Sequence, residues 1–255
     1  MLLTVQGIPS YCYTGGLPFD PARPTLIFIH GAQNDHSVWT QQARSFAHLG
    51  YGVLAVDLPG HMRSQGAPKA SVPEMAGWLL TLMDAVDVRE AALIGHSMGS
   101  LIALEAAFQA PQRVTQLAMA GSAYPMKVAD TLLASARDNE LAAIDMVAGW
   151  SHSPLASHTT RNAARRLMQR MPGCLHTDLA ACNSYANGEL AAASVRCPTL
   201  LLLGASDMMT PPKSSKLLAT AIPHAQTATL DSGHALMSEQ PQGVLNALLD
   251  FIGSR

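Results

Sequence analysis

Short runs with hardly a polar residue recur along the chain: Thr25–Ile29, Val53–Val56, Ala91–Ile94, Thr115–Ala120 and Pro198–Leu203. Apolar runs this short predict strands covered on both faces, as in a parallel sheet flanked by helices. Ser10–Tyr13 and Gln226–Leu230 read as two more strands. Between the runs, apolar residues return at helical spacing. One such helix carries Trp39, Ala43, Phe46, Ala47 and Leu49 on one side and stops at Gly50; others span Val72–Val86, Lys213–Ala221 and Gly243–Ile252. Strand and helix alternate, which defines an α/β fold with a mainly parallel sheet.

The alternation stops between Ala123 and Gly188. Only helical patterns occur there, near Val128–Ala136, Glu140–Trp150, Thr159–Arg170 and Thr177–Ala186. In the third, Ala164, Leu167, Met168 and Met171 fall on one side, and Arg161, Arg165, Arg166 and Arg170 on the other, which reads as a solvated face. A sharper reading of those arginines is docking of an anionic carrier or substrate tail. The pattern therefore divides the chain into a core of residues 1–122 and 189–255 and a helical insertion of residues 123–188.

Composition narrows the function. A net charge of −2 excludes the basic footprint of a nucleic-acid binder. No apolar run reaches the length of a membrane span, and the N-terminus lacks the charged start of a signal peptide. Cys12, Cys174, Cys182 and Cys197 are widely spaced, with no Cys-x-x-Cys pair, so reduced thiols in a cytoplasmic protein are expected rather than a metal site or disulfide framework. Of the ten histidines, His36, His48, His152, His158, His176 and His224 show no metal-ligand spacing. They read as exposed, and His30, His61 and His96 as structural. No cofactor or metal is implied.

The chemistry concentrates at Gly95-His96-Ser97-Met98-Gly99, between a buried strand and a helix beginning at Leu101. A Gly-x-Ser-x-Gly turn in that setting holds the serine above the sheet edge, with glycines where a Cβ would collide. A serine hydroxyl needs a base, and the base an orienting acid. In open α/β sheets these groups lie at the carboxyl ends of strands. Asp207 follows the Pro198–Leu203 strand and His234 follows Gln226–Leu230. The order Ser97, Asp207, His234 is the one the elbow requires. Oxyanion donors are expected from the backbone N–H of Met98, next to the serine, and of Ala32, after the first parallel strand.

His30-Gly31, Asp57-Leu58-Pro59-Gly60-His61, the Gly95–Gly99 elbow, Gly204-x-x-Asp207 and Gly233-His234 together resemble the α/β-hydrolase superfamily. The resemblance covers the core on both sides of the insertion. It implies an eight-stranded, mostly parallel sheet and makes the insertion a cap over the serine. Met62 is a departure, since relatives commonly carry glycine there.

Serine at the elbow disfavours the dehalogenases and epoxide hydrolases of that superfamily, which use aspartate. The expected activity is hydrolysis of carboxylic esters through an acyl-enzyme on Ser97. A carbon–carbon bond hydrolase or a thioesterase could use the same triad, and a hydrolase-like receptor would keep the pocket but hardly turn over. Trp39, Met126, Met146, Trp150, Met168 and Leu236 are the expected substrate contacts. They favour a small or medium apolar substrate, bound by a monomer or homodimer. Thirteen methionines fit such an adaptable pocket.

Overall fold

The computed structural model describes residues 1–253. An eight-stranded sheet runs in the order β1-β2-β4-β3-β5-β6-β7-β8. Its strands are β1 (Leu2–Val5), β2 (Ile8–Tyr13), β3 (Thr25–Ile29), β4 (Gly52–Val56), β5 (Ala91–His96), β6 (Val114–Ala120), β7 (Thr199–Gly204) and β8 (Gln226–Leu230). β1 and β2 pair antiparallel, as do β2 and β4, and every other pairing is parallel. Seven of the strands fall where the sequence places them, five on apolar runs. β1 is not among them; Leu2 and Thr4 are exposed and the strand lies at the sheet edge.

The buried strands alternate strictly between two cores. Leu26 and Phe28, Val53 and Ala55, and Ala92 and Ile94 face one side. Ile27 and Ile29, Leu54 and Val56, and Leu93 face the other. This is the period-2 geometry of a strand, and it explains why the runs lack polar residues. Helices α1 (Thr40–His48) and α11 (Pro241–Gly253) cover the first side, with the short α10 (Leu236–Glu239) beside them. Helices α2 (Val72–Ala85), α3 (Met98–Gln109), α8 (Gly188–Ala193) and α9 (Lys216–Ala221) cover the second. Ser71 caps α2 by accepting from Glu74 N–H, and the Glu74 carboxylate accepts from Ser71 Oγ and Ala70 N–H, a capping box.

Between β6 and β7 lie α4 (Asp130–Asp138), α5 (Glu140–Trp150), α6 (His158–Gln169) and α7 (Leu175–Ser184), followed by α8. Leu132, Ala136, Ala143, Ile144, Met168, Leu175 and Leu179 give α4 to α7 a small core of their own. The same segment is welded to the sheet, since Ala181, Cys182 and Tyr185 join the core around α3. Among the described residues no helix is long and apolar enough to cross a membrane, and all four cysteines carry free thiols.

Candidate active site

Ser97 stands at the end of β5, in the middle of the sheet, with φ 52° and ψ −119°. A non-glycine residue adopts that conformation only where its surroundings over-determine it. Here a Cβ on Gly95 would overlap the Gly99 backbone, and one on Gly99 would overlap the Ile29 and His30 carbonyls. The turn is thus packed solid on both sides. Ser97 N–H donates to Ala120 O at 2.9 Å, and its carbonyl accepts from Ser100 N and Oγ, which ties the elbow to β6 and α3.

Asp207 and His234 meet across the ends of β7 and β8. His234 Nδ1 donates to Asp207 Oδ2 at 2.8 Å, and Thr210 Oγ1 donates to the same oxygen at 2.7 Å. The other carboxylate oxygen accepts Met209 N–H and Thr210 N–H, both at 2.8 Å. Burial alone would raise the Asp207 pKa, but His234 and the Thr210 donors hold it down to about 2. His234 therefore keeps its proton on Nδ1, and Nε2 is the nitrogen free of Asp207. The loop around His234 is pinned from the helical segment: Glu239 accepts from Gly233 N–H and Ser153 N–H, and Ala235 N–H donates to Ser151 O.

Two more histidines support these groups while staying neutral. His96 Nε2 donates to the His234 carbonyl at 2.9 Å, its ring 4.8 Å from the His234 ring. Burial, reinforced by His234, depresses its pKa to about 3. His30 Nδ1 donates to Gly31 O and its Nε2 accepts from Leu58 N–H; burial, with His61 beside it, lowers its pKa to about 4. Both match the structural role read from the sequence. His36 and His152 do not match the exposed position expected of them. His36 Nδ1 lies 2.7 Å from Asp57 Oδ1, and His152 is 3% exposed and lines the cavity described next.

A cavity of about 1160 Å³ opens over Ser97 and His234, between the sheet and the helical segment. Met126, Trp150 and Met168 line it, as do Ala32, Leu132 and Met209. Three of the expected contacts do not. Trp39 is fully buried, its ring tilted against Phe28 and its Nε1–H donated to Ile29 O at 3.2 Å; Leu236 is fully buried in the same core. Met146 packs against the inner core of the helical segment instead. Trp39 and Leu236 sit near the site in sequence, but they point into the core. The arginines on and just after α6 divide. Arg161 donates to Ser153 O and Arg165 pairs with Asp145, whereas Arg166 and Arg170 line the cavity with Arg44 and Lys127. No acidic side chain is among the residues lining it.

Met98 opens α3, so its N–H has no partner within the helix. Ala32 lines the cavity directly after β3. Met62, the departure from the glycine of relatives, takes φ 42°, a region glycine enters freely, and its N–H reaches Met171 Sδ at 3.1 Å.

The residues that sequence reading missed are polar groups inside the helical segment and its contacts. Asp178 of α7 is fully buried and accepts from His61 Nε2 at 2.9 Å and from Gln33 N–H at 2.8 Å. A signal existed: Leu175, Asp178, Leu179 and Cys182 fall at i, i+3, i+4, i+7, so the acid occupies the buried stripe of its own helix. Asp35, His36 and Asp57 form a group with ligand-type atoms within 4.8 Å of one another. Those atoms already bind Ser37 N–H, His36 and Arg63 N–H, so the group serves as an anchor of the loops after β3 and β4.

Residues 26–247 match the model of the alpha/beta hydrolase family, and the chain belongs to that family and is a hydrolase. It is 24% identical over 238 residues to 3-oxoadipate enol-lactonase 1 of Acinetobacter baylyi, covering 91% of this chain and 89% of that protein. It is 28% identical over 253 residues to the pimeloyl-[acyl-carrier protein] methyl ester esterase of Aromatoleum aromaticum, covering 90% and 98%. The crystal structure of the enol-lactonase from Burkholderia xenovorans LB400 superposes with a TM-score of 0.87 at 21% identity, over 100% of both chains.

Proposed function

We propose that the protein is a serine hydrolase of carboxylic esters. Ser97 attacks the ester carbonyl while His234 Nε2 takes the hydroxyl proton; the backbone N–H groups of Met98 and Ala32 receive the oxyanion. His234 then hands the proton to the leaving alcohol. Asp207 keeps the imidazole in the required tautomer and stabilises its cation. Water, deprotonated by the same histidine, releases the acid and restores Ser97. The observation that carries this reading is the 2.8 Å bond from His234 Nδ1 to Asp207 Oδ2, in a cavity wall that His234 shares with Ser97.

The helical segment acts as the cap that shapes the substrate. Met126, Trp150 and Met168 support an apolar acyl or alcohol part. Arg44, Lys127, Arg166 and Arg170, with no acid beside them in the wall, support a substrate that also carries an anionic group. The activities that name the two relatives, a lactonase and a methyl ester esterase, both open an ester bond, which favours oxygen esters over thioesters or carbon–carbon bonds. Turnover of p-nitrophenyl esters tests this: it is expected to be lost in Ser97→Ala. Tight binding of a small molecule without turnover of any ester would make the protein a receptor.

A further inference from the structure

The buried polar contact between the helical segment and the core has no part in the steps above, yet it ends beside Ala32. Asp178 and His61 are 0% and 1% exposed. His61 Nε2 faces Asp178 Oδ2 at 2.9 Å and Nδ1 faces Pro59 O at 3.0 Å. With Asp178 as a carboxylate both partners are acceptors, both ring nitrogens donate and the ring is an imidazolium. A buried ion pair of this kind contributes little net stability over an apolar pair. Its geometry is what distinguishes it, because Asp178 Oδ2 also takes Gln33 N–H at 2.8 Å. Gln33 stands at φ 47°, and its side chain donates to Met168 O and Met171 O in the helical segment.

We infer that Asp178, charged and held by His61, is a positioning residue for the oxyanion hole, working through the Gln33 peptide; this rests on the Ser97 reading above. Two peptides flank the Ala32 α-carbon. The first joins Gly31 to Ala32, and its carbonyl is held inside the loop by His30 Nδ1 at 2.8 Å and Asn34 N–H at 3.2 Å. In a trans peptide the N–H points opposite to the carbonyl, so the Ala32 N–H is turned away from those partners. The second joins Ala32 to Gln33, and its N–H is held by Asp178. The carbonyl of that second peptide accepts from Asn34 Nδ2 at 2.9 Å, so the loop itself holds one side of the peptide and Asp178 the other. Loss of the Asp178 contact loosens the C-terminal side of Ala32 and lets the aim of its N–H drift from the oxyanion, without freeing the loop. The charge matters twice: it strengthens the Gln33 bond, and it keeps His61 doubly protonated. Asp178 belongs to α7, so a donor of the core is set by the segment that also shapes the cavity.

Asp178→Asn tests this, since it keeps the shape and removes the charge. Turnover of a p-nitrophenyl ester is measured well below the variant's own melting temperature, with circular dichroism to show that it is folded. The expected result is a kcat lowered by about tenfold, less than the ~10²–10³ lost with a whole oxyanion donor, at unchanged KM. Ser97 labelling by a fluorophosphonate, whose P=O uses the same donors, slows in parallel. If Asp178→Asn does not fold, the double variant Asp178→Asn with His61→Gln replaces the ion pair by a neutral one and faces the same expectation. A folded variant with wild-type kcat overturns the inference. Wild-type turnover in Ser97→Ala instead overturns the Ser97 reading, whatever Asp178 does.

Discussion

His234 reaches Asp207 through one carboxylate oxygen only: Nδ1 lies 2.8 Å from Oδ2, while Oδ1 is taken by the N–H groups of Met209 and Thr210. The acid is thus fixed by its own loop before the histidine arrives, and its four donors keep it ionised. Asp207→Asn retains the Oδ1 contacts and so the fold, but its amide can present N–H to Nδ1 and select the wrong tautomer. Turnover of a p-nitrophenyl ester is expected to fall by about 10⁴-fold with an unchanged far-ultraviolet spectrum.

Asp207 also links stability to acid. Its pKa is depressed from 3.8 to about 2 in the fold, so the native state holds the charged form more tightly than the unfolded chain does. The contribution is complete above the unfolded value and is lost as pH falls through the folded one. Urea unfolding should show a constant stability difference between wild type and Asp207→Asn from about pH 7 to pH 5, closing between about pH 4 and pH 2.

His61 has the opposite sign. Burial alone pushes its pKa down, but Asp178, the Pro59 carbonyl and nearby Asp57 lift it above its ordinary 6.5. The native state therefore binds this proton more tightly than the unfolded chain. The gain is fully present below the unfolded value and is lost as pH rises through the raised one. The stability gap between wild type and the neutral pair of Asp178→Asn with His61→Gln should be widest near about pH 6 and shrink toward pH 9.

The cationic wall of the cavity makes a prediction about substrates. A half-ester of a dicarboxylic acid should show a higher kcat/KM than the matching neutral diester. Changing Arg166 and Arg170 together to Gln should remove roughly tenfold or more of that preference, as expected for charge-assisted hydrogen bonds. The neutral diester should be little affected, and added salt should weaken only the acid substrate.

Trp39 and Trp150 separate stability from specificity. Trp39→Phe loses the bond to Ile29 O, about 1 kcal/mol, and should leave the ester profile unchanged. Trp150→Ala enlarges the cavity and should shift the preferred acyl chain length. Urea midpoints and a chain-length series of p-nitrophenyl esters measure the two effects.

The contrast between these tryptophans shows where the sequence was legible. Buried parallel strands leave uninterrupted apolar runs, and Ser97, Asp207 and His234 each stand three or four residues beyond a strand read from the sequence, so that order marks them as candidates. Which way a helix turns its side chains depends on what it packs against. Trp39 near the loop after β3 and Trp150 in the helical segment look equivalent in one dimension, yet only the second faces the cavity. The edge strand β1 escaped because it is only four residues long and pairs with β2 alone. Asp178 escaped because an acid in a helix reads as surface unless its place on the buried stripe is weighed.

Ser97 as the nucleophile is the claim on which the rest depends. The most direct measurement is mass spectrometry of the protein after reaction with a fluorophosphonate, alongside turnover of wild type and Ser97→Ala. The expected result is one phosphonyl adduct on the peptide carrying Ser97, loss of turnover in step with labelling, and neither adduct nor turnover in Ser97→Ala. An adduct on another residue, or ester turnover that survives Ser97→Ala, would contradict it.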